Sequence, residues 1–558
     1  MQRMLPLPAR WPALACLALT AYLALVLNAP TAWQRWMRWS DTPPWIAAIG
    51  TLVELLLVAL ATAMLLLACA ALSRRLLQGM GAALLLFSAL AAWFMVRHQT
   101  QIGYATVSAV LSPDQGFTRE ILEPGLWIWV LVGGLLPALY WVHRLRQQPA
   151  GGPRGGLAGS GRLALLGLAL LALLLVLLLA RGMKKVYPQS GTGLSPSGVA
   201  AHRYVPTNWV YGLGAHVAVS AHERMRGQVP SPVQRHVYQP GQLPQDFTLV
   251  LVVGESLRSD HLQVLGAERQ TTPRLAAESG LVALHGWSCD TSTRHALACM
   301  FVRPEALEPS DGWSPDRVTE GPVFDVFDHL GFDIELYAMQ AEAGFYRQTR
   351  ASHFSLREEI AASRPESGQP LDEWLLPPVQ DKLARETGGR HLIVLHKKGS
   401  HFHYSARYPR AFARWQPECL DVQQNCSEAE LRNSYDNSIL YTDHVLAELM
   451  NLLRDRPALL VVTSDHGQSI SATARFHGTP RAMAPAEQRR VPLLFWASEP
   501  LLAQAPFAAR MQALRARAPA SADTPVDHGH LFASLLGCAG IESSSGGITP
   551  RHNLCQLP

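Results

Sequence analysis

Five apolar runs, at 11–27, 45–72, 76–96, 126–142 and 163–180, constrain this chain more than any other feature of its sequence. Each approaches or exceeds the length that crosses a bilayer as a helix. A single such run near the N-terminus would read as a cleaved signal, but four more behind it define a multi-pass membrane domain. They also explain a hydrophobic content of 48%, since almost nothing so apolar follows residue 181. Arg3 and Arg10, then Arg74 and Arg75, then Arg144, Arg146, Arg154 and Arg162 fall on alternate connections, which the positive-inside rule places in the cytoplasm. Arg35 and Arg38 dilute that contrast, in a connection that also carries Trp33, Trp36, Trp39 and Trp45 in the manner of an interfacial belt. With five spans and an inside N-terminus, everything beyond residue 181 is expected outside the cytoplasm.

The cysteines agree with that topology. Cys16 and Cys69 fall inside spans, whereas Cys289, Cys299, Cys419, Cys426, Cys538 and Cys555 all lie in the exported part. An even set there suits an oxidising compartment. Six cysteines allow 15 pairings; proximity in sequence favours 289–299, 419–426 and 538–555. The net charge of +5 is modest and partly topogenic, so it gives no indication of nucleic-acid binding.

Three regions follow: a five-helix membrane domain over 1–181, a bridge along the outer membrane surface over 182–245, and a folded domain over 246–558. In the last, short apolar runs at 247–253, 332–338, 391–395, 458–463 and 491–497 read as buried strands, with helical stretches such as 427–453 between them. That alternation predicts an α/β domain with a mostly parallel central sheet. Such sheets bind ligands at the carboxyl ends of their strands. Here the strand at 247–253 runs into Glu255 and Ser256, that at 391–395 into Lys397, Lys398, Ser400, His401 and His403, and that at 458–463 into Ser464, Asp465 and His466; His477 lies just beyond.

A carboxylate, an Asp-His pair, a further His and a hydroxyl-rich loop make a ligand set for a borderline cation such as zinc. The loop runs from Cys289 to Cys299 and offers three hydroxyls, Thr291, Ser292 and Thr293. A hydroxyl is a weak nucleophile at neutral pH, and coordination to a metal would activate it.

These motifs, in this order, resemble the lipid A phosphoethanolamine transferases of the alkaline phosphatase/sulfatase superfamily. The resemblance extends over nearly the whole chain. It is strongest to the branch that modifies the Kdo sugar of Kdo–lipid A, through Ser288–Thr293, Cys299–Arg303, Leu336–Gln340, Lys398–Phe402, His477–Arg481, Ala484–Gln488 and the tail from Gly537 to Cys555. It implies transfer of phosphoethanolamine from phosphatidylethanolamine, through a phosphothreonine, to lipopolysaccharide. Thr293 would be the nucleophile; Glu255, Thr293, Asp465 and His466 would hold zinc; and His401 and His477 would bind the phosphoryl group or a second ion, calcium or zinc, and protonate the leaving oxygen. Glu120, Gln340 and Glu342 are looser candidates for substrate contact. The implied protein is a monomer in a Gram-negative inner membrane with its catalytic domain in the periplasm. Gln468 departs from the family, which usually places Glu after Asp-His-Gly, and so questions any role that needs a carboxylate there. Other readings are a lipid A phosphate as acceptor, a phosphoglycerol transferase, and a degenerate membrane scaffold. The formylglycine context of sulfatases is missing from 289–299.

Overall fold

The computed structural model describes residues 7–37, 43–111, 124–147, 159–183, 195–226, 229–362, 371–420, 426–471 and 475–556. Two compact units divide the chain, Met1–Ala221 and His222–Pro558.

The first unit is helical. Pro44–Leu72, Arg74–Arg97, Pro124–Arg146 and Gly161–Leu179 are each long and apolar enough to cross a membrane. The expected first span is different: Leu14–Val26 and Ala29–Met37 meet at a 41° bend, so a fifth crossing exists only if the bent pair counts as one. Asn28 sits at the break, donating to the carbonyls of Leu23, Ala24 and Val205. Arg35, which blurred the charge pattern in the sequence, is in fact buried against the carboxylate of Glu54, to which Tyr204 also donates at 2.6 Å. Two short segments of the expected bridge are helices of this first unit, Pro196–His202 and the start of Thr207–Arg226.

The second unit is built on an eight-stranded sheet. From one edge to the other the strands run Val526–Asp527, Leu281–Trp287, Arg490–Ala497, Ala458–Ser464, Phe247–Gly254, Arg390–His396, Asp333–Ala338 and His353–Leu356. The last five are mutually parallel, while Arg490–Ala497 runs antiparallel to both its neighbours. Phe247–Gly254 and Ala458–Ser464 are buried along their full length, as strands covered on both faces must be. Leu281–Trp287 alternates buried and half-buried residues, which is why its sequence did not read as a core strand. The long helix is Glu428–Leu453, started by a capping box between Ser427 and Glu430. Its residue Tyr435 donates to the carbonyl of Ser256, locking the helix to the central strand's end.

Candidate active site

Parallel strands 247–254 and 458–464 lie in register with Gly254 opposite Ser464, so the residues that follow each strand emerge side by side. Glu255 and Asp465 are therefore neighbours by topology, and both are wholly buried. The next strand over ends in the Lys397–Ser400 loop. There Gly399 adopts φ +54°, and a Cβ would come within 2.6 Å of the Glu255 carbonyl oxygen. Only glycine allows that approach. Asp372 holds the loop by accepting from the backbone N–H groups of Lys398 and Gly399 at 2.8 and 2.9 Å. Ser256 also lies in the left-handed region, at φ 59°, a strained position of the kind that accumulates at functional sites.

The three hydroxyls of the opening loop have different fates. Thr291 Oγ1 donates to the Thr479 carbonyl at 2.5 Å. Ser292 Oγ lies 2.8 Å from His295 Nδ1 and 3.3 Å from Asp290 Oδ1. Thr293 begins the short helix Thr293–Cys299, and its Oγ1 stands 3.0 Å from Glu255 Oε2 and 3.3 Å from His466 Nε2. Of the three, it is the hydroxyl with contacts to the buried carboxylate–imidazole cluster. The disulfide Cys289–Cys299 brackets this helix, and Cys419–Cys426 and Cys538–Cys555 are also joined.

His466 Nδ1 lies 2.8 Å from the Gly467 carbonyl. A carbonyl only accepts, so Nδ1 carries the proton and Nε2 offers a lone pair. That nitrogen is 3.3 Å from Thr293 Oγ1, 3.3 Å from Asp465 Oδ2 and 3.4 Å from Glu255 Oε1. Ligands of a tetrahedral zinc, each about 2.0–2.2 Å from the ion, stand roughly 3.3–3.5 Å apart. Asp465 Oδ2 is buried and makes no hydrogen bond of ordinary geometry. Burial, with the Glu255 carboxylate beside it, pushes Asp465 above the usual carboxylate range. Burial opposes charge on His466, but Asp465 and Glu255 outweigh it and raise its pKa. Concentrated negative charge in a dry pocket calls for a cation, and this donor set fits one. Ligand atoms of Glu255, His466 and His477 also lie within 4.8 Å of one another, which draws His477 into the same group.

The His466 and His477 rings are 4.2 Å apart, and His401 is 5.6 Å from His477. Burial first, and neighbouring positive charge second, holds both His401 and His477 well below the usual imidazole range. Gln468 is wholly buried: its Oε1 lies 2.8 Å from His477 Nδ1, and its Nε2 donates to Tyr404 Oη. The neutral amide thus fills the place of the expected carboxylate by fixing how His477 is turned.

Gln340 is buried and turned inward, donating to Glu255 Oε2 at 2.8 Å while accepting from Lys398 Nζ at 2.9 Å. Glu342 is half-buried and precedes the helix Ala343–Gln348. Glu120 lies outside the described residues. Sequence reasoning gave no role to Lys398 or to His528. His528 is buried behind the loop with Nε2 3.0 Å from the Ser464 carbonyl, and burial drives its pKa down to about 4. Lys398 stood out in the sequence only as one of several ionisable residues after a strand; His528 has no motif that marks it.

Fold and site define a class: a sulfatase-type α/β domain presenting a hydroxyl to a metal-ligand cluster, carried by a multi-pass membrane unit. A sulfatase family model matches residues 248–541, and a model described as phosphoethanolamine transferase EptA/EptB matches residues 59–186. The Kdo(2)-lipid A phosphoethanolamine 7''-transferase of Escherichia coli (strain K12) is 36% identical, over 97% of this chain and 96% of its own. That of Salmonella typhimurium is 35% identical over the same shares. The integral membrane lipooligosaccharide phosphoethanolamine transferase A of Neisseria meningitidis superposes with a TM-score of 0.78 at 22% identity, covering 98% of this chain and 99% of that one. The chain belongs to the phosphoethanolamine transferase family.

Proposed function

We propose that this enzyme moves phosphoethanolamine from phosphatidylethanolamine to a hydroxyl of the Kdo sugar of Kdo–lipid A, through a phosphothreonine on Thr293. The observation that carries this reading is the Thr293 hydroxyl resting on Glu255 and His466 inside a wholly buried carboxylate cluster. Zinc, held by Glu255, Thr293, Asp465 and His466, would lower the pKa of the hydroxyl and offset charge on the phosphoryl oxygens.

In the first step Thr293 Oγ attacks phosphorus, the bond to the diacylglycerol oxygen breaks, and the threonine proton ends on that leaving oxygen. In the second a Kdo hydroxyl attacks, the Thr293–phosphorus bond breaks, and the Kdo proton returns to Thr293. His401 and His477, buried and neutral, accept and deliver that proton while lining the phosphoryl space. Gln340 orients Glu255. The membrane unit keeps the enzyme at the lipid surface where donor and acceptor reside, as a monomer in the inner membrane with its catalytic unit in the periplasm.

Mass spectrometry of lipopolysaccharide from cells with and without this protein tests the reading, because fragment ions locate the added group. Phosphoethanolamine on Kdo is expected. Its appearance on a lipid A phosphate would replace the acceptor, and added glycerol phosphate would replace the donor.

A further inference from the structure

The opposite end of the same sheet, where its strands begin, holds a second ionisable cluster. Asp333 and Glu335 lie at the start of strand Asp333–Ala338, and His391 at the start of Arg390–His396. Lys382 and Arg385 come from helix Leu376–Arg385, which Glu386 closes. The Lys382 ammonium is buried against Asp333 Oδ2, Glu335 Oε1 at 3.1 Å and Glu386 Oε1 at 2.9 Å. Arg385 reaches Glu335 only at 3.9 Å and is mostly exposed. Three carboxylates thus share one buried ammonium, and negative charge is left over.

His391 faces that surplus. Its side chain is buried, and its Nε2 lies 2.8 Å from the Gly388 carbonyl, so the ring proton is on Nε2 and the lone pair on Nδ1. Nδ1 is buried with no hydrogen bond of its own. It stands 3.4 Å from Glu386 Oε2 and 3.9 Å from Asp333 Oδ2. A lone pair turned on carboxylate oxygens is repulsive unless a proton or a metal cation lies between them. The shorter separation matches the roughly 3.3–3.5 Å edge of a tetrahedral zinc site, and the three ligand atoms lie within 4.8 Å of one another. Lys382 uses the other oxygen of Glu386, so Oε2 remains to face the histidine, whereas the Asp333 Oδ2 that faces it is shared with Lys382 and Oδ1 accepts from Ser352. Burial opposes ionisation of Asp333, yet Lys382 and Ser352 hold it below the usual carboxylate range. Asp333 and Glu386 side chains are 37% and 39% exposed, which leaves an ion a way in.

We propose that Asp333, Glu386 and His391 bind a borderline divalent cation of the zinc type, separate from the nucleophile-bearing cluster, tying the strand starts to the end of the neighbouring helix. One imidazole and two carboxylates suit such an ion, whereas calcium demands six to eight oxygens.

The test uses the full chain in detergent, stripped of metal, reloaded with Zn²⁺ and assayed by plasma mass spectrometry. His391→Gln and Glu386→Gln should each lower zinc content by about one ion per chain relative to the unsubstituted protein, while transfer stays within about twofold. Asp465→Asn, which disables the other cluster, should keep the zinc that His391→Gln loses. Zn²⁺ should also raise the melting temperature of Asp465→Asn, and Ca²⁺ should not. Unchanged zinc content in both His391→Gln and Glu386→Gln overturns the proposal. So does an equal response to calcium, which would mark an unselective acidic surface.

Discussion

The two ends of one sheet carry carboxylate–imidazole clusters of opposite construction. At the carboxyl end Glu255, Asp465 and His466 are wholly buried and a threonine hydroxyl joins them. At the amino end Asp333 and Glu386 are partly in water and a lysine joins them. A dry cluster has strong internal fields and can reshape the acidity of a hydroxyl; a wet cluster with its own ammonium is screened and already partly neutral. On the roles proposed above, the same residue types serve reaction chemistry at one end and cohesion at the other. Burial and the added group decide which.

The sharpest way to break this contrast is Thr293→Ala, which should reduce transfer to background while the melting temperature stays within the small range of an ordinary surface change. Lipopolysaccharide mass spectra alongside a thermal melt check it, and retained transfer would refute the nucleophile assignment. Next in size is Cys289→Ser. Opening the bridge around the Thr293 helix should cost roughly 2–5 kcal/mol of stability, measured by denaturant titration of the second unit in the intact chain. An unchanged midpoint would show that the bridge does not support the loop.

A smaller effect is expected from Gln340→Leu, which removes the N–H that Glu255 Oε2 accepts. Partners that orient a ligand are typically worth about 10–100-fold in activity or metal affinity. The loss should fall on kcat, with KM for the donor nearly constant; a change confined to KM would instead make Gln340 a substrate contact. The smallest effect belongs to Asp260. Burial pushes its carboxyl up, but the Arg258 guanidinium holds it down to about 2. Because its folded pKa is depressed, its stabilisation is present above the ordinary value of 3.8 and is lost as pH falls toward 2. Asp260→Asn should flatten that acid limb by about 1–2 kcal/mol after screening, read from melts between about pH 4 and 2. A limb of unchanged slope would mean that Asp260 contributes nothing to it.

Much of this was legible in the sequence, for definite reasons. Central strands buried on both faces leave unbroken apolar runs, and the residues after them are where an α/β sheet keeps its chemistry. Glu255, Asp465 and His466 could be read that way. The edge strands His353–Leu356 and Val526–Asp527, and Leu281–Trp287 beside the latter, could not, being half-buried or too short to leave a pattern. Three adjacent hydroxyls were equivalent by the residues alone, and the resemblance nominated Thr293. The structure separates them, since Thr291 is tied to a backbone carbonyl and Ser292 to His295. The contacts of Gln340 with Glu255 and Lys398 were not legible, because sequence does not show a side chain folding back onto a neighbouring strand's end. The amino-end cluster left no trace at all: Asp333, Glu386 and His391 belong to three separate elements and form no motif.

The buried pair Arg35–Glu54 bears on how the protein is made. Each charge alone in hydrocarbon would cost at least a few kcal/mol, and here Arg35 pairs with Glu54, whose carboxylate also accepts from Tyr204. The helix Ala29–Met37 and the long span Pro44–Leu72 lie close in sequence, so the two charges are synthesised close together. Tyr204 arrives much later, after the remaining spans. The pair therefore acts as an early latch between the first helices, and the tyrosine as the late bolt that closes the membrane unit once the chain has finished crossing.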